Sequence, residues 1–147
     1  MFVLGVFGLL VEFWDVDLEA FQQRFAISHE DYPVGLLNFA MDALKGLQAI
    51  LEPAHQHFGY RTAEEILTFL GTNHQHGAAV MSREEALDQA ILMKALPKVR
   101  GQDSPEFRAC LEKLAEFLSG NHCQASATKI AAMLAELKLT GATRFWR

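Results

Sequence analysis

The sequence predicts a mainly α-helical fold, a compact bundle of five or six helices with a little strand at its ends. Three observations predict it. The chain has 147 residues, half of them hydrophobic, which is enough for one sizeable core. Apolar residues recur at helical spacing, and Gly, Pro and capping residues divide the chain into short segments. We expect an apolar strand or interface segment over residues 1–14 and a helical, lid-like domain over residues 15–147.

The first half of the sequence predicts a strand and three helices, of which the first two come before Pro53. Residues 9–14 are rich in β-branched and aromatic side chains, and a helix capped by Asp15 or Asp17 follows as far as Phe25. The next helix buries one face and ends at Pro53. Its inward positions are Leu37, Met41, Leu44, Leu47 and Leu51.

A short helix is expected from Thr62 to Leu70, with Gly71 as its stop. Residues 73–81 are expected to form a loop. Ser82 and Glu85 make a capping box that begins the next helix. Its buried stripe comprises Leu87, Ala90, Ile91 and Leu96.

Pro97 closes that helix, and residues 98–101 form a basic connector. Ser104 caps a further helix that has Pro105 at its first position and Gly120 as a left-handed terminator. The inner face of this helix comprises Phe107, Leu111, Leu114 and Leu118. The last helix runs from about Ser126 to Gly141, with Ile130, Met133, Leu134 and Leu137 inward, and residues 143–146 suit a terminal strand.

The charge of the chain disfavours general binding to a polyanion. The net charge is −5, and the excess of acids lies in residues 1–66, whereas residues 67–147 carry 10 bases and 8 acids. The only cysteines, Cys110 and Cys123, match neither a disulfide framework nor a zinc site, which favours a reduced cytoplasmic setting. The apolar run at Met1–Leu10 is too short to span a bilayer, so no membrane partner is expected.

Motifs of independent catalysis are missing from the sequence. There is no Gly-rich phosphate loop, no apolar strand ending in paired acids, no nucleophile elbow and no helical zinc-protease signature. We therefore expect a protein that is not an enzyme by itself and that holds no cofactor by itself.

Two tripeptides repeat the same histidine spacing. His55 and His57, and likewise His74 and His76, lie two residues apart in predicted loops, where paired imidazoles can share a metal. No thiolate or carboxylate completes a ligand set at a recognisable spacing, so the alternative is that polar loops simply collect histidines.

Arg61 stands at the entrance of a predicted helix, after Gly59 and Tyr60. An arginine at this position can reach outward to an anion. The alternative is an ion pair with Glu64 or Glu65 on its own first turn.

Three strings carry a family resemblance. They are the Gly59–Glu65 segment, the segment from Asp88 to Gly101 that contains Lys-Ala-Leu-Pro-Lys-Val-Arg-Gly, and the segment from Ser126 to the Phe145-Trp146 ending. In this order they resemble the C-terminal part of McrB-type AAA+ proteins, the nucleotide-driven motors of modification-dependent restriction systems. The similarity extends from about Val11 to the last residue, and Lys94–Gly101 is its most specific piece.

The resemblance implies a lid subdomain. Val11–Phe13 would be the last strand of a nucleotide-binding core, the following helices the lid, and Arg61 a sensor arginine that reaches the γ-phosphate. The phosphate loop, the metal-binding acids and the arginine finger belong to sequence that this chain lacks. The implied partners are therefore a nucleotide-binding core, which would hold ATP or GTP with Mg, and neighbouring subunits of an oligomer, with DNA contacted only indirectly.

Two other functions stay open. A helix bearing Lys129 and Lys138, followed by a Gly turn and the strand at residues 143–146, can be interpreted as a winged-helix module that binds nucleic acid. The last possibility is a free-standing helical domain that binds other proteins.

Overall fold

The computed structural model describes residues 34–77 and 80–146, and this part of the chain is mainly helical, as predicted. It contains the helices α1 (Val34–Leu51), α2 (Tyr60–Thr72), α3 (Arg83–Ala90), α4 (Pro105–Gly120) and α5 (Gln124–Thr140), and the strands β1 (Arg100–Gln102) and β2 (Ala142–Arg144). The strand expected at residues 9–14 and the helix expected as far as Phe25 lie outside the described residues.

The helices bury the faces that the sequence predicted. All five inward positions of α1 are buried, and a 3-10 turn at Glu52–Ala54, which carries Pro53, ends the helix. α4 packs extensively against α5, and α1 also contacts α4. The buried side chains of α1 to α5 form one continuous core. Among the described residues, no helix has both the length and the hydropathy that crossing a bilayer requires.

Helix α2 continues past its predicted stop. Gly71 is buried inside α2, and the chain then makes a π-helical turn at Asn73–Gly77. The prediction of Gly71 as a terminator was therefore wrong, as was the loop over the first part of residues 73–81. The Asn73 side chain, only 9% exposed, donates a hydrogen bond to the carbonyl of Met81 (3.2 Å) and so fastens the turn to the start of α3.

Two of the predicted caps are confirmed. The Ser82 hydroxyl accepts a hydrogen bond from the Glu85 amide (3.2 Å), while the Glu85 carboxylate accepts one from the Ser82 amide (3.0 Å). Ser104 caps α4 by accepting from the Phe107 amide (3.1 Å). Both caps satisfy amides that have no partner within their own helices.

The predicted end of α4 was wrong in its detail. Gly120 is the last residue of the helix rather than a left-handed terminator, and His122 adopts the left-handed conformation instead (φ 62°). At the end of α5 the left-handed residue is Gly141 (φ 86°), whose amide donates to the carbonyl of Leu137 (2.9 Å).

The segment after α3 changes its helical type twice. Residues Ile91–Ala95 form a π-helical turn and Leu96–Lys98 a 3-10 turn that contains Pro97. The buried stripe predicted for this region is confirmed, because Leu87, Ala90, Ile91 and Leu96 are all at most 1% exposed.

The short sheet joins the basic connector to the end of the chain. β1 and β2 are antiparallel, with Arg100 opposite Arg144, Gly101 opposite Thr143 and Gln102 opposite Ala142. The strand expected at residues 143–146 thus lies at Ala142–Arg144, and its partner is the segment that the sequence identified only as a connector.

Candidate functional site at Arg61

Arg61 is the second residue of α2, and its side chain is exposed. The residue before the helix, Gly59, is extended (φ −83°, ψ 171°), and its carbonyl accepts from the amides of Thr62 and Ala63 (3.1 and 3.3 Å). Phe58 (1% exposed) and Thr62 (3% exposed) anchor the backbone on both sides of this entrance. The guanidinium therefore projects from a backbone that is firmly held.

Within the described residues, Arg61 makes no ion pair shorter than 4.0 Å. The expected alternative, a pair with Glu64 or Glu65 on the same turn, is not found there. With respect to the described carboxylates, the donors of Arg61 are therefore available for an external anion.

Arg61 lines an open groove with a volume of about 540 Å³ between α2 and the turn at Ile91–Ala95. The other lining residues are Glu64, Glu65, Thr68, Phe69, Thr72 and Lys94. This volume is in the range of small-molecule sites, which is about 300–1,000 Å³.

Lys94 supplies the second cation of the groove. It comes from the π-helical turn that follows α3, and its neighbour Ala95 is buried. Single π-helical turns occur frequently at functional sites because they change the direction of a side chain within a helix. Sequence reasoning did not select Lys94, although it begins the string Lys94–Gly101 that carries the family resemblance.

The groove is close to electrically neutral. Two cations and two carboxylates line it, and Thr68 and Thr72 add hydroxyl groups. Such a lining can orient a phosphate through Arg61 and Lys94, but the carboxylates oppose tight binding of a free anion. Tight binding of a phosphate would need donors beyond these lining residues.

The four candidate metal-binding histidines are not gathered into a site. Across residues 34–77 and 80–146, no three potential metal ligands of the His, Cys, Asp or Glu type converge. His74 and His76 are exposed on the π-helical turn rather than in a loop, and His55 is left-handed (φ 56°) after the 3-10 turn. The Nδ1 atom of His57 is buried and has no hydrogen-bond partner among the described residues.

Asp88, the first residue of a string singled out in the sequence, links α3 to α5. Its carboxylate accepts hydrogen bonds from the amides of Ala125 and Ser126, both at 2.9 Å, and the Ser126 hydroxyl donates to the Asp88 carbonyl (3.0 Å). Asp88 is only 7% exposed. It therefore caps a helix that begins 36 residues later, at Gln124.

Both cysteine thiols are buried and protonated at neutral pH. Burial raises the pKa of Cys110 to about 11, and burial together with the nearby Asp88 carboxylate raises the pKa of Cys123 to about 12. A thiol with such a pKa is a poor nucleophile at pH 7.

The two lysines of the winged-helix interpretation have separate neighbours. The Lys129 ammonium lies 4.6 Å from the centre of the Phe145 ring, whereas Lys138 approaches Glu112 at 4.0 Å. Phe145 is packed against the core and contacts Trp146 edge to face, with 4.7 Å between ring centres. Trp146 is 68% exposed.

Comparison with known protein families gives a match over most of the chain. The model of a family described as a domain of unknown function, DUF8727, matches residues 17–142, which is most of the chain. No curated protein and no solved structure matches the chain.

Proposed function

The chain belongs to the DUF8727 family, and we propose that this member is a non-catalytic lid and assembly domain of an AAA+ motor similar to those of McrB-type restriction systems. In this proposal Arg61 acts as a sensor of the nucleotide phosphate. The nucleotide, ATP or GTP with Mg, is held by a nucleotide-binding core, either on another chain or on a longer form of this one.

The observation that carries the proposal is the pair of cations in the groove of α2. Arg61 and Lys94 line the same groove from two different elements. Two convergent cations are what a lid needs in order to contact a phosphate that a neighbouring protein presents.

The fold suits a lid that moves as one body. Arg61 stands between the buried residues Phe58 and Thr62, and a continuous core joins its helix to the others. A displacement of the guanidinium toward a phosphate is therefore transmitted to the whole domain, which is how closure of a lid reports the bound nucleotide.

The carboxylates of the groove should limit the binding of free nucleotide by the isolated chain. Because Glu64 and Glu65 line it too, the isolated chain should bind free ATP or GTP only weakly. Affinity and hydrolysis should appear when a core supplies the phosphate loop and the metal-binding acids.

The first test is the complex that this chain forms in its native cell. A tagged chain is purified with its associated proteins, and hydrolysis of ATP and of GTP is measured for the wild-type complex and for Arg61→Ala. We expect the substitution to lower hydrolysis at least about tenfold, since a charge that stabilises the transferring phosphate is lost. Thermal unfolding of the isolated variant should match the wild type, because Arg61 is exposed.

Arg108→Ala is the matched control for this test. Arg108 is also an arginine at the surface, but it pairs with Asp103 and does not line the groove. Hydrolysis should be unchanged in this variant. A complex without any phosphate-loop protein, or equal hydrolysis by the Arg61→Ala and wild-type complexes, would disprove the proposed role.

A further inference from the structure

The two-stranded sheet has one face directed inward and one directed to solvent. Thr143 is 6% exposed, and its hydroxyl donates to the Glu136 carboxylate (2.6 Å). Gly101, opposite Thr143, lies so close to Phe107 that an added Cβ would be 3.2 Å from the ring. Side chains alternate along a strand, so Arg100 and Arg144 share the outer face, and both are exposed.

Arg100 and Arg144 are direct cross-strand partners. The Cα atoms of such partners are about 5 Å apart. Like charges directly opposite each other on a sheet are destabilising. A sheet of two three-residue strands has little stability with which to offset the repulsion between two arginines. A bound anion would remove this repulsion.

Neighbouring carboxylates do not neutralise this pair within the described residues. The closest acid along the strand, Asp103, is engaged by Arg108 through two hydrogen bonds. Arg100 and Arg144 make no ion pair within 4.0 Å in residues 34–77 and 80–146, and Lys98, two residues before Arg100, is exposed as well. The outer face is thus a local concentration of positive charge on a chain whose net charge is −5.

An aromatic side chain follows this surface directly. Trp146 comes two residues after Arg144, is 68% exposed and contacts Phe145 edge to face. Phe145 is itself held by the core and by the Lys129 ammonium. A tryptophan supported in this way offers an indole surface on which a base can stack.

We infer that the outer face of the sheet, which carries Arg100 and Arg144, binds single-stranded nucleic acid together with two exposed flanking residues, Lys98 before β1 and Trp146 after β2. The two guanidiniums contact successive phosphates, and the indole stacks on a base. This site is distinct from the groove at Arg61 and does not depend on a lid function.

Nucleic acid suits this surface better than an acidic protein does. Guanidinium forks can bind phosphate oxygens in a bidentate manner, and an exposed indole gains from a planar base. A carboxylate-rich peptide would satisfy the arginines but would leave Trp146 without a partner. Single strands are favoured over a duplex because stacking on an exposed indole requires an accessible base face.

The test is fluorescence anisotropy of the full chain with a labelled 20-nucleotide single strand, in DNA and RNA form, at several salt concentrations. We expect salt-dependent binding that Arg100→Ala and Arg144→Ala each weaken about three- to tenfold at low salt, with a shallower salt dependence. Trp146→Ala should weaken binding by a similar factor with the salt dependence unchanged, because stacking releases no counterions.

Arg144→Glu separates loss of binding from loss of fold. It places a carboxylate opposite Arg100, which favours the sheet, while it should abolish binding. Its thermal stability should therefore equal or exceed that of the wild type. Lys138→Ala removes one positive charge, as Arg144→Ala does, and serves as its control. Lys138 lies on α5 near Glu112 and is not part of the sheet, so this variant should bind as the wild type does.

Three results would overturn the inference. The first is no detectable binding of either strand by the wild type at low salt. The second is equal weakening by Lys138→Ala and Arg144→Ala, which would mean general attraction to the protein. The third is tighter binding of polyglutamate than of the nucleic acid, which would assign the surface to an acidic protein.

Discussion

Asp88 shows how a single carboxylate can organise two helices. Cys123, the residue before α5, provides no side-chain cap. Asp88 occupies the cap site from α3, so one negative charge satisfies two amides at the positive end of the helix dipole. The start of α5 is therefore held against α3 by a residue of α3, which lies outside α5 and outside the loop that precedes it.

Replacement of Asp88 by Ala should destabilise the fold strongly. It leaves the amides of Ala125 and Ser126 without their acceptors in a site that is only partly open to water. We expect a loss of about 2–3 kcal/mol in the free energy of unfolding, measured by urea denaturation. Asp88→Asn, which keeps one acceptor oxygen, should lose less.

Asp103→Ala provides the comparison for Asp88. The Asp103 carboxylate also accepts hydrogen bonds, but its partner is the surface side chain of Arg108, five residues along the chain. Exposed ion pairs contribute little to stability. If the two aspartates proved equally costly to remove, the capping role of Asp88 would be refuted.

The residues of the candidate sites were predictable to different degrees. Arg61 was identified from its position after a turn, because helix entrances can be recognised locally. Lys94 was missed, since its place in the groove depends on a π-helical turn. The Arg100–Arg144 pair was missed because register between segments about 40 residues apart leaves no local pattern.

At the scale of elements, the contact of α1 with α4 depends on one glycine. A Cβ on Gly46 would lie 2.5 Å from the ring of Phe117, which is closer than carbon atoms approach. Gly46 thus allows the phenyl ring to lie against the backbone of α1. Glycine is otherwise unfavourable in a helix interior by up to about 1 kcal/mol, so its presence fits this packing requirement.

Gly46→Ala should therefore destabilise the protein even though alanine favours helices. The ring of Phe117 must move or the two helices must separate, and overpacking of this kind typically costs about 1–3 kcal/mol. Thermal or urea denaturation measures the change.

Two variants isolate the packing term. Gly35→Ala, where an added Cβ meets no described atom within 4 Å, should be neutral or stabilising. In a Phe117→Ala background, Gly46→Ala should no longer be costly. If Gly46→Ala still lowered the free energy of unfolding in that background, the contact with Phe117 would not be the cause.

The elements themselves followed from the sequence wherever their signals are local. The capping box at Ser82, the cap at Ser104, the apolar stripes and the stop at Pro53 depend on residues within one or two turns, and the structure confirms them. α4 ends at Gly120 as predicted, but the left-handed residue is His122, two positions later. The stop predicted at Gly71 failed because the backbone does not turn left-handed there. At Gly71 the chain instead remains helical into a turn that the Asn73 side chain fastens.

At the scale of the molecule, the buried side chains of the described residues form one cluster that includes every helix. Leu44 on α1, Leu67 on α2 and Leu137 on α5 are all at most 1% exposed within it. A single continuous core has no internal boundary at which one part could unfold alone. The helices should therefore unfold in one cooperative transition.

Leu44→Ala tests this cooperativity. Removal of a fully buried leucine side chain should lower the free energy of unfolding by about 2–5 kcal/mol. If all helices unfold together, the free energy of opening measured by hydrogen exchange should fall by the same amount for the most protected amides of α1 and of α5. This should hold although Leu44 belongs to α1. Leu139 is 85% exposed, so Leu139→Ala should leave the free energies of unfolding and of amide opening within about 0.5 kcal/mol of the wild type. Faster exchange in α1 and α2 with unchanged protection in α4 and α5 would show two independently unfolding parts, and a lid that closes as one body would then be untenable.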